Sequence, residues 1–539
     1  VLARAFNAIG RKCVFDVIIR DGMVVDGTGS PARRVDIGVE RDTITALDNL
    51  QGAQAAETIV AQSLHVCPGF IDIHAHSDFN ILVAPPGRSK VLQGVTTEVC
   101  GNCGMSAAPL IGATRKQREA SLAHLGITLT WTSLQEFSER VARQGLLCNI
   151  VPLIGHGNIR GAVIGYDNRH PTADEFAQMR ALLEQELGAG GWGMSSGLIY
   201  PPGRYASCEE LIELCRTAAR YHRLYTTHLR SEGDRLLEAV TEAIAIGKQA
   251  GIPVQISHLK TLGKQNWHKL PEVFSLIEKA REEGLRLTAD RYPYTAASTD
   301  LDAVLPAWVC EGGNAAELAR LKKPEVRAQL VCELRQTERG FAEEILIARV
   351  ASEKNKALEG RLLSDIAERR KQSPVDTLLD LLIEEELRVD AIFFSMSEDN
   401  LREILKKDYV MIGSDASVWD ATGPLSSGKP HPRGFGTFPR VLGKYVRDEQ
   451  ILELEEAVRK MTGLPAETFG IADRGVIRKG CKADLVLFNF AEIKDTATYE
   501  QPHQFPSGIV RVMVNGQWVV KDTNLTGTLP GKLLLRQTE

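Results

Sequence analysis

His74 and His76, Cys103, single histidines at His228 and His258, and Asp415 are the residues of this sequence whose types could hold a metal together. Imidazole, thiolate and carboxylate are the usual donors to zinc and ions of similar softness. A zinc ion polarises a carbonyl and acidifies water, which a poorly electrophilic amide needs before it will hydrolyse, together with a group that carries a proton. Each residue alone has a plainer reading. A lone histidine such as His228 more often sits hydrogen-bonded in a core, and His-x-His on a strand only points two rings to one side. Cys100 and Cys103 make a Cys-x-x-Cys that a redox pair would also show, but no second pair is near enough to complete a zinc ribbon. Their joint occurrence is what counts, because every one of them closes or follows a strand-like segment.

The segments that must position these residues run from about 67 to 470. GFIDIHAH, GVTTEVC, LCNIVPLIGHG, GGWGMSS, RLYTTHL, IPVQISHLK, LRLTADRYPY and DYVMIGSD are short apolar runs, and amphipathic stretches such as SCEELIELCRTAARYH alternate with them. Continuously apolar strands separated by helices read as parallel sheet covered by helices. Eight such units favour a closed (β/α)8 TIM-like barrel, whose C-terminal mouth would collect all six residues.

Both ends of the chain are strand-like. FDVIIRDGMVVDGTG reads as a hairpin around Asp21-Gly22, and IVRVMVNGQWVVKD as another around Asn515-Gly516. Segments 8–66 and 471–535 are therefore expected to form one small β-sandwich domain, with two unrelated caps as the alternative. Within the 67–470 barrel, the stretch 291–409 is too long for a loop. It holds charged helix candidates and the strand-like AIFFS, and is expected to be an inserted lid subdomain at the catalytic rim.

Composition excludes several classes. With 539 residues, 43 % of them hydrophobic, the chain can bury a large core and is not a disordered one. Lysine and arginine number 64 against 69 acidic residues, for a net charge of -5, so no nucleic-acid partner is expected. No apolar run reaches 18 residues, and no membrane partner is expected either. Ten irregularly spaced cysteines do not make a disulfide scaffold, which points to a cytoplasmic protein. The glycine-rich loops lack the context of a dinucleotide or Walker site.

GFIDIHAHSD, GVTTEVCGNCG, TTHLRSE, ISHLK, ADRYPYTA, MIGSDA and HPRGFGTFPRVLG together resemble the N-acyl-D-amino-acid deacylases, or D-aminoacylases, a branch of the metal-dependent amidohydrolase superfamily. The resemblance spans nearly the whole chain. GNCG and HPRGFGTFPR mark the branch, whereas His-x-His and the late aspartate mark only the superfamily. It implies one tight zinc site on Cys103, His228 and His258, and a second, weak metal position on His74, His76 and Asp415. Asp415 is also implied as general base, and Cys103 stands where many relatives carry a carboxylated lysine.

The implied substrate is a small N-acyl-D-amino acid, whose carboxylate needs a cation. Arg433 is the candidate, since its planar fork matches both carboxylate oxygens. The resemblance adds Tyr292 and Ser298, although a Tyr-Pro-Tyr segment also packs loops. Lys260, two residues after His258, is either a support behind the metal ligands or a surface lysine. His156 is expected near the mouth without a catalytic step. Two rival readings remain: a cyclic-amide hydrolase of the hydantoinase or dihydroorotase kind, and a non-catalytic assembly protein on the same scaffold. The sequence leaves the oligomeric state open.

Overall fold

The computed structural model describes residues 15–337 and 341–537. The opening VLARAFNAIG and the start of the 8–66 arm lie outside these residues. At the centre is a barrel of eight parallel strands: β1 (Phe70–Asp72), β2 (Val95–Cys100), β3 (Asn149–Pro152), β4 (Gly193–Gly197), β5 (Leu224–His228), β6 (Val254–Ile256), β7 (Leu287–Arg291) and β8 (Val410–Ile412). Neighbours pair in chain order, with the short Ile154–Gly155 strand joining β3 to β4. Seven of the eight are buried along their whole length; in β7 only Thr288 is partly exposed. This explains why they do not alternate between exposed and buried residues, because helices cover one side and the barrel interior fills the other.

The helices follow from amphipathic spacing and capping. Cys208–Arg220 starts at Ser207, whose side chain accepts from the Glu210 backbone N–H, and buries Leu211, Leu214, Cys215 and Ala218 on one stripe. Leu236–Ala250 ends at Gly251, whose φ of 65° suits the left-handed turn that stops a helix.

The barrel closes between β1 and β8 without a regular ladder. A single bridge between Ala75 and Ala416 spans this seam, with backbone bonds from Asp415 N to His74 O (2.7 Å) and from His76 N to Ala416 O (3.2 Å). Gly413 lies at the seam because a Cβ there would meet the His74 Cβ at 2.7 Å.

Strands from both chain ends share one sheet. His65–Pro68 pairs antiparallel with Leu485–Phe488 and parallel with Met23–Val24, and Ile509–Val514 continues the sheet. A second sheet holds Phe15–Arg20, Asp36–Glu40, Thr43–Asp48 and Ala55–Val60. Ile19, Ile37 and Val39 of this sheet pack with Leu485, Leu487 and Met513 of the other. Asn515 and Gly516, at φ 48° and 75°, form the expected tight hairpin turn. Asp21-Gly22 does not make a hairpin. Phe15–Arg20 and Met23–Val24 belong to different sheets, so this turn is the corner between the two layers of the sandwich.

After β7 the chain builds a separate unit. Ala297–Asp300, Val389–Phe393 and Ile345–Val350 form an antiparallel sheet with the AIFFS strand in the middle. Leu330, Leu363, Leu378, Leu382 and Val389 form its own core beneath the helices.

Candidate active site

The residues flagged in the sequence meet at the C-terminal mouth of the barrel. Cys103 Sγ lies 3.3 Å from His74 Nε2, 3.7 Å from His258 Nε2 and 3.8 Å from His228 Nδ1. A tetrahedral zinc with S and N bonds of about 2.3 and 2.0 Å holds sulfur and nitrogen roughly 3.5 Å apart, so this donor set fits the ion. Among the described residues, ligand atoms converge in three overlapping groups: His74, Cys103 and His258; His74, His76 and Asp415; and His228, Glu232 and His258. His228 Nε2 is buried without a hydrogen-bond partner.

Backbone geometry holds the ligands. Cys103, His258 and Asp415 have φ of 54°, 36° and 50°, in the left-handed region that residues with a Cβ seldom adopt. Each lies two or three residues beyond a strand end and lines the cavity at the mouth. Gly104 allows the close approach beside Cys103, because a Cβ there would sit 2.8 Å from Gly197 N.

Partners behind the ligands fix their rings. His74 Nδ1 pairs with Asp290 Oδ2 at 3.2 Å, leaving Nε2 toward the sulfur. Asp290 Oδ1 also accepts from the His258 backbone N–H at 3.0 Å. His258 Nδ1 lies 2.8 Å from both Lys260 Nζ and Glu232 Oε1, and Lys260 is itself bonded to Glu232. Lys260 is thus buried behind His258 rather than on the surface. Asp290 and Glu232 were not singled out in the sequence; their signals are a carboxylate closing the seventh strand and one four residues after His228.

Charge follows from this packing. Burial raises the Cys103 thiol, but His74, His228 and His258 outweigh it and hold the thiol well below its ordinary value. Burial likewise opposes ionisation of Asp415, yet Arg433, His258 and His74 hold its carboxyl well below the usual range. Asp415 Oδ1 is 3.1 Å from His76 Nε2, and its other oxygen is 2.9 Å from Arg433 Nη1.

Arg433 opens the helix Arg433–Arg440. Its backbone N–H donates to His431 Nδ1 (3.0 Å), while His431 Nε2 donates to Ala296 O (2.9 Å), tying the HPRG turn to the start of the inserted unit. The guanidinium carbon lies 4.6 Å from the centre of the Tyr292 ring, and Nη2 donates to Ser298 O at 3.2 Å. Arg433 Nε and Nη1 and the Tyr292 hydroxyl are buried with no hydrogen-bond partner. Nη1 already faces the Asp415 carboxylate, which leaves Arg433 Nε and the Tyr292 hydroxyl as two buried donors without acceptors, costly unless an anion arrives to take them.

His76, Cys103, His228, His258, Asp415, Tyr292 and Arg433 open on a cavity of about 1210 Å³, and His74 and Asp290 lie buried behind them. Its wall includes Cys103, His228, His258 and Asp415 from the barrel, and Ser298, Val304, Ile345 and Arg349 from the inserted unit. His156 is not in this wall. It is buried against Glu210, 2.8 Å from its carboxylate. Cys100 is buried and makes no disulfide with Cys103.

Residues 57–520 match the amidohydrolase family model. The chain belongs to the amidohydrolase family, in its N-acyl-D-amino-acid deacylase branch. It is 36 % identical to a D-aminoacylase of Alcaligenes xylosoxydans xylosoxydans, over 97 % of this chain and 98 % of that one. An N-acyl-D-glutamate deacylase of Bordetella bronchiseptica, solved with zinc and a phosphonate mimic of the tetrahedral intermediate, is 35 % identical with a TM-score of 0.82. That match covers 97 % of this chain and 99 % of the other. A D-aminoacylase structure described by one-metal activation and second-metal attenuation of its binuclear centre is 37 % identical, TM-score 0.81, over 97 % and 100 % of the two chains.

Proposed function

We propose that this protein is a zinc-dependent deacylase that hydrolyses N-acyl-D-amino acids to a carboxylate and a free D-amino acid. The observation that carries the reading is the pair of unpartnered buried donors, Arg433 Nε and the Tyr292 hydroxyl, beside an ionised Asp415, facing the Cys103 group across one cavity. That pairing suits a substrate with a carboxylate next to its scissile amide. The names of the relatives supply the D configuration.

Cys103, His228 and His258 would hold the tight zinc, and His74, His76 and Asp415 a second, weaker metal position that shares the sulfur's neighbourhood. Bound zinc supplies a Lewis acid for the amide carbonyl and for water. Arg433 and Tyr292 hold the α-carboxylate, with Ser298 in the adjoining wall, so that the amide lies over the Cys103 group. Asp415 takes a proton from the attacking water and delivers it to the departing amine nitrogen. Lys260 keeps His258 oriented from behind. The inserted unit acts as the lid that excludes bulk water. Free cysteines suit a reducing cytoplasm.

The test is hydrolysis of a panel of N-acetyl-D-amino acids, their L enantiomers, and hydantoin and dihydroorotate. Release of amino acid from the D series alone supports the reading. Turnover of the cyclic amides instead would replace it, and a zinc-loaded protein inert on every member would leave the assembly scaffold.

A further inference from the structure

Behind the barrel mouth, where β1 and β8 meet without a ladder, lies a buried charge that the mechanism does not use. Lys90 is 1 % exposed, and its ammonium donates to Asp72 Oδ2 (2.6 Å), Ser414 Oγ (2.7 Å) and Ala416 O (2.8 Å). Glu98 Oε2 is 3.4 Å away and accepts from Ser77 Oγ at 2.5 Å. Ser414 and Ala416 are the residues on either side of Asp415. The opposite side of the same network reaches the first strand: Asp72 Oδ1 accepts from the backbone N–H of Ser414 (2.8 Å) and of His74 (3.3 Å). Ala416 O, held by Lys90, also accepts from His76 N.

We propose that Lys90 is a positioning residue for the reaction: its ammonium replaces the missing ladder at the barrel's closing seam and fixes Asp415 in register with His74 and His76. Three protons meet three oxygens, a match that neither a neutral side chain nor a planar guanidinium reproduces. Asp415 needs such a fixture, because its φ of 50° is strained and only the surrounding structure can maintain it. Burial disfavours the charged lysine, but Asp72 and Glu98 more than offset this and keep it protonated. An error of about 1 Å in the placement of a reacting group can cost 10²-fold in rate.

The molecule contains its own control. Lys460 is as deeply buried and reaches the other end of β8, donating to Val410 O at 3.1 Å, far from Asp415. The experiment rests on the deacylase reading and compares Lys90→Met, Ser414→Ala and Lys460→Met in the zinc-loaded protein, each also combined with Asp415→Asn. Lys90→Met should lower kcat by about 10²-fold and Ser414→Ala by about tenfold, with KM changed less than about threefold. Lys460→Met should lower the melting temperature and leave kcat alone. In the Asp415→Asn background the Lys90 and Ser414 changes should cost almost nothing more, since both act through Asp415. Additive losses, or a Lys460→Met enzyme as slow as Lys90→Met, would overturn the proposal; if Lys90→Met does not fold, Ser414→Ala decides alone. Zinc titration gives a readout free of turnover: Lys90→Met should weaken the second equivalent and spare the first, and equal affinities overturn the proposal. A wild-type protein inert on N-acyl-D-amino acids would refute the deacylase reading and still leave this titration to decide the seam.

Discussion

Arg433 Nη1 lies 2.9 Å from Asp415 Oδ2, so the group assigned to the substrate's carboxylate also touches the group assigned to its proton. The contact is a charge pair without hydrogen-bond alignment. Binding and chemistry thus share an ion pair, and the two roles separate only by choice of substrate.

Truncating Arg433 to alanine should lower kcat/KM by roughly 10²-fold or more, in line with about 2 to 5 kcal/mol for a desolvated charge pair. The carboxamide analogue of the same substrate should lose little further. Equal losses on acid and carboxamide would sink the carboxylate assignment.

Asp415→Asn keeps the shape but cannot accept a proton. It should reduce kcat by about 10² to 10⁴-fold on both substrates. A variant with near-normal kcat would mean that another group moves the proton.

Cys103→Ala should lose most of its bound zinc, because the sulfur lies within 3.8 Å of the His74, His228 and His258 imidazoles. His76→Ala should keep its zinc and lose activity. Elemental analysis after dialysis checks both, and unchanged zinc in Cys103→Ala would reject that ligand.

A pH dependence of stability should come from Glu317, in the helix Asn314–Leu321 of the inserted unit. Burial pushes its carboxyl up to about 7, against Cys310, Arg204 and Arg320 and with help from Asp300; Asp302 faces it as well. Between pH 4.5 and 7 the folded protein then binds more protons than the unfolded chain, so stability falls as pH rises. Glu317→Gln should match the wild type at pH 5 and exceed it at pH 8, by up to about 3 kcal/mol. Parallel curves of hydrogen exchange in residues 314–321 against pH would contradict this.

The barrel was legible because fully buried strands leave runs without polar alternation, and the candidate metal ligands because each closes or follows one of those runs. What escaped was set by contacts across the fold. Asp290 meets His74 from two strands away, and Lys90 meets Asp72, Ser414 and Ala416 across a seam that no local pattern marks. Asp21-Gly22 misled for a related reason: its turn chemistry is correct, but which sheet each flanking strand joins depends on partners from the other end of the chain.

That sharing of one sheet has a consequence for synthesis. His65–Pro68 and its partner Leu485–Phe488 are roughly 420 residues apart. At about 5 to 20 residues per second, the earlier strand waits about 20 to 80 s on the ribosome before its neighbour exists. For that interval it presents an unpaired edge to the cell, and the vulnerable period in the life of this protein is the one before its last strands emerge.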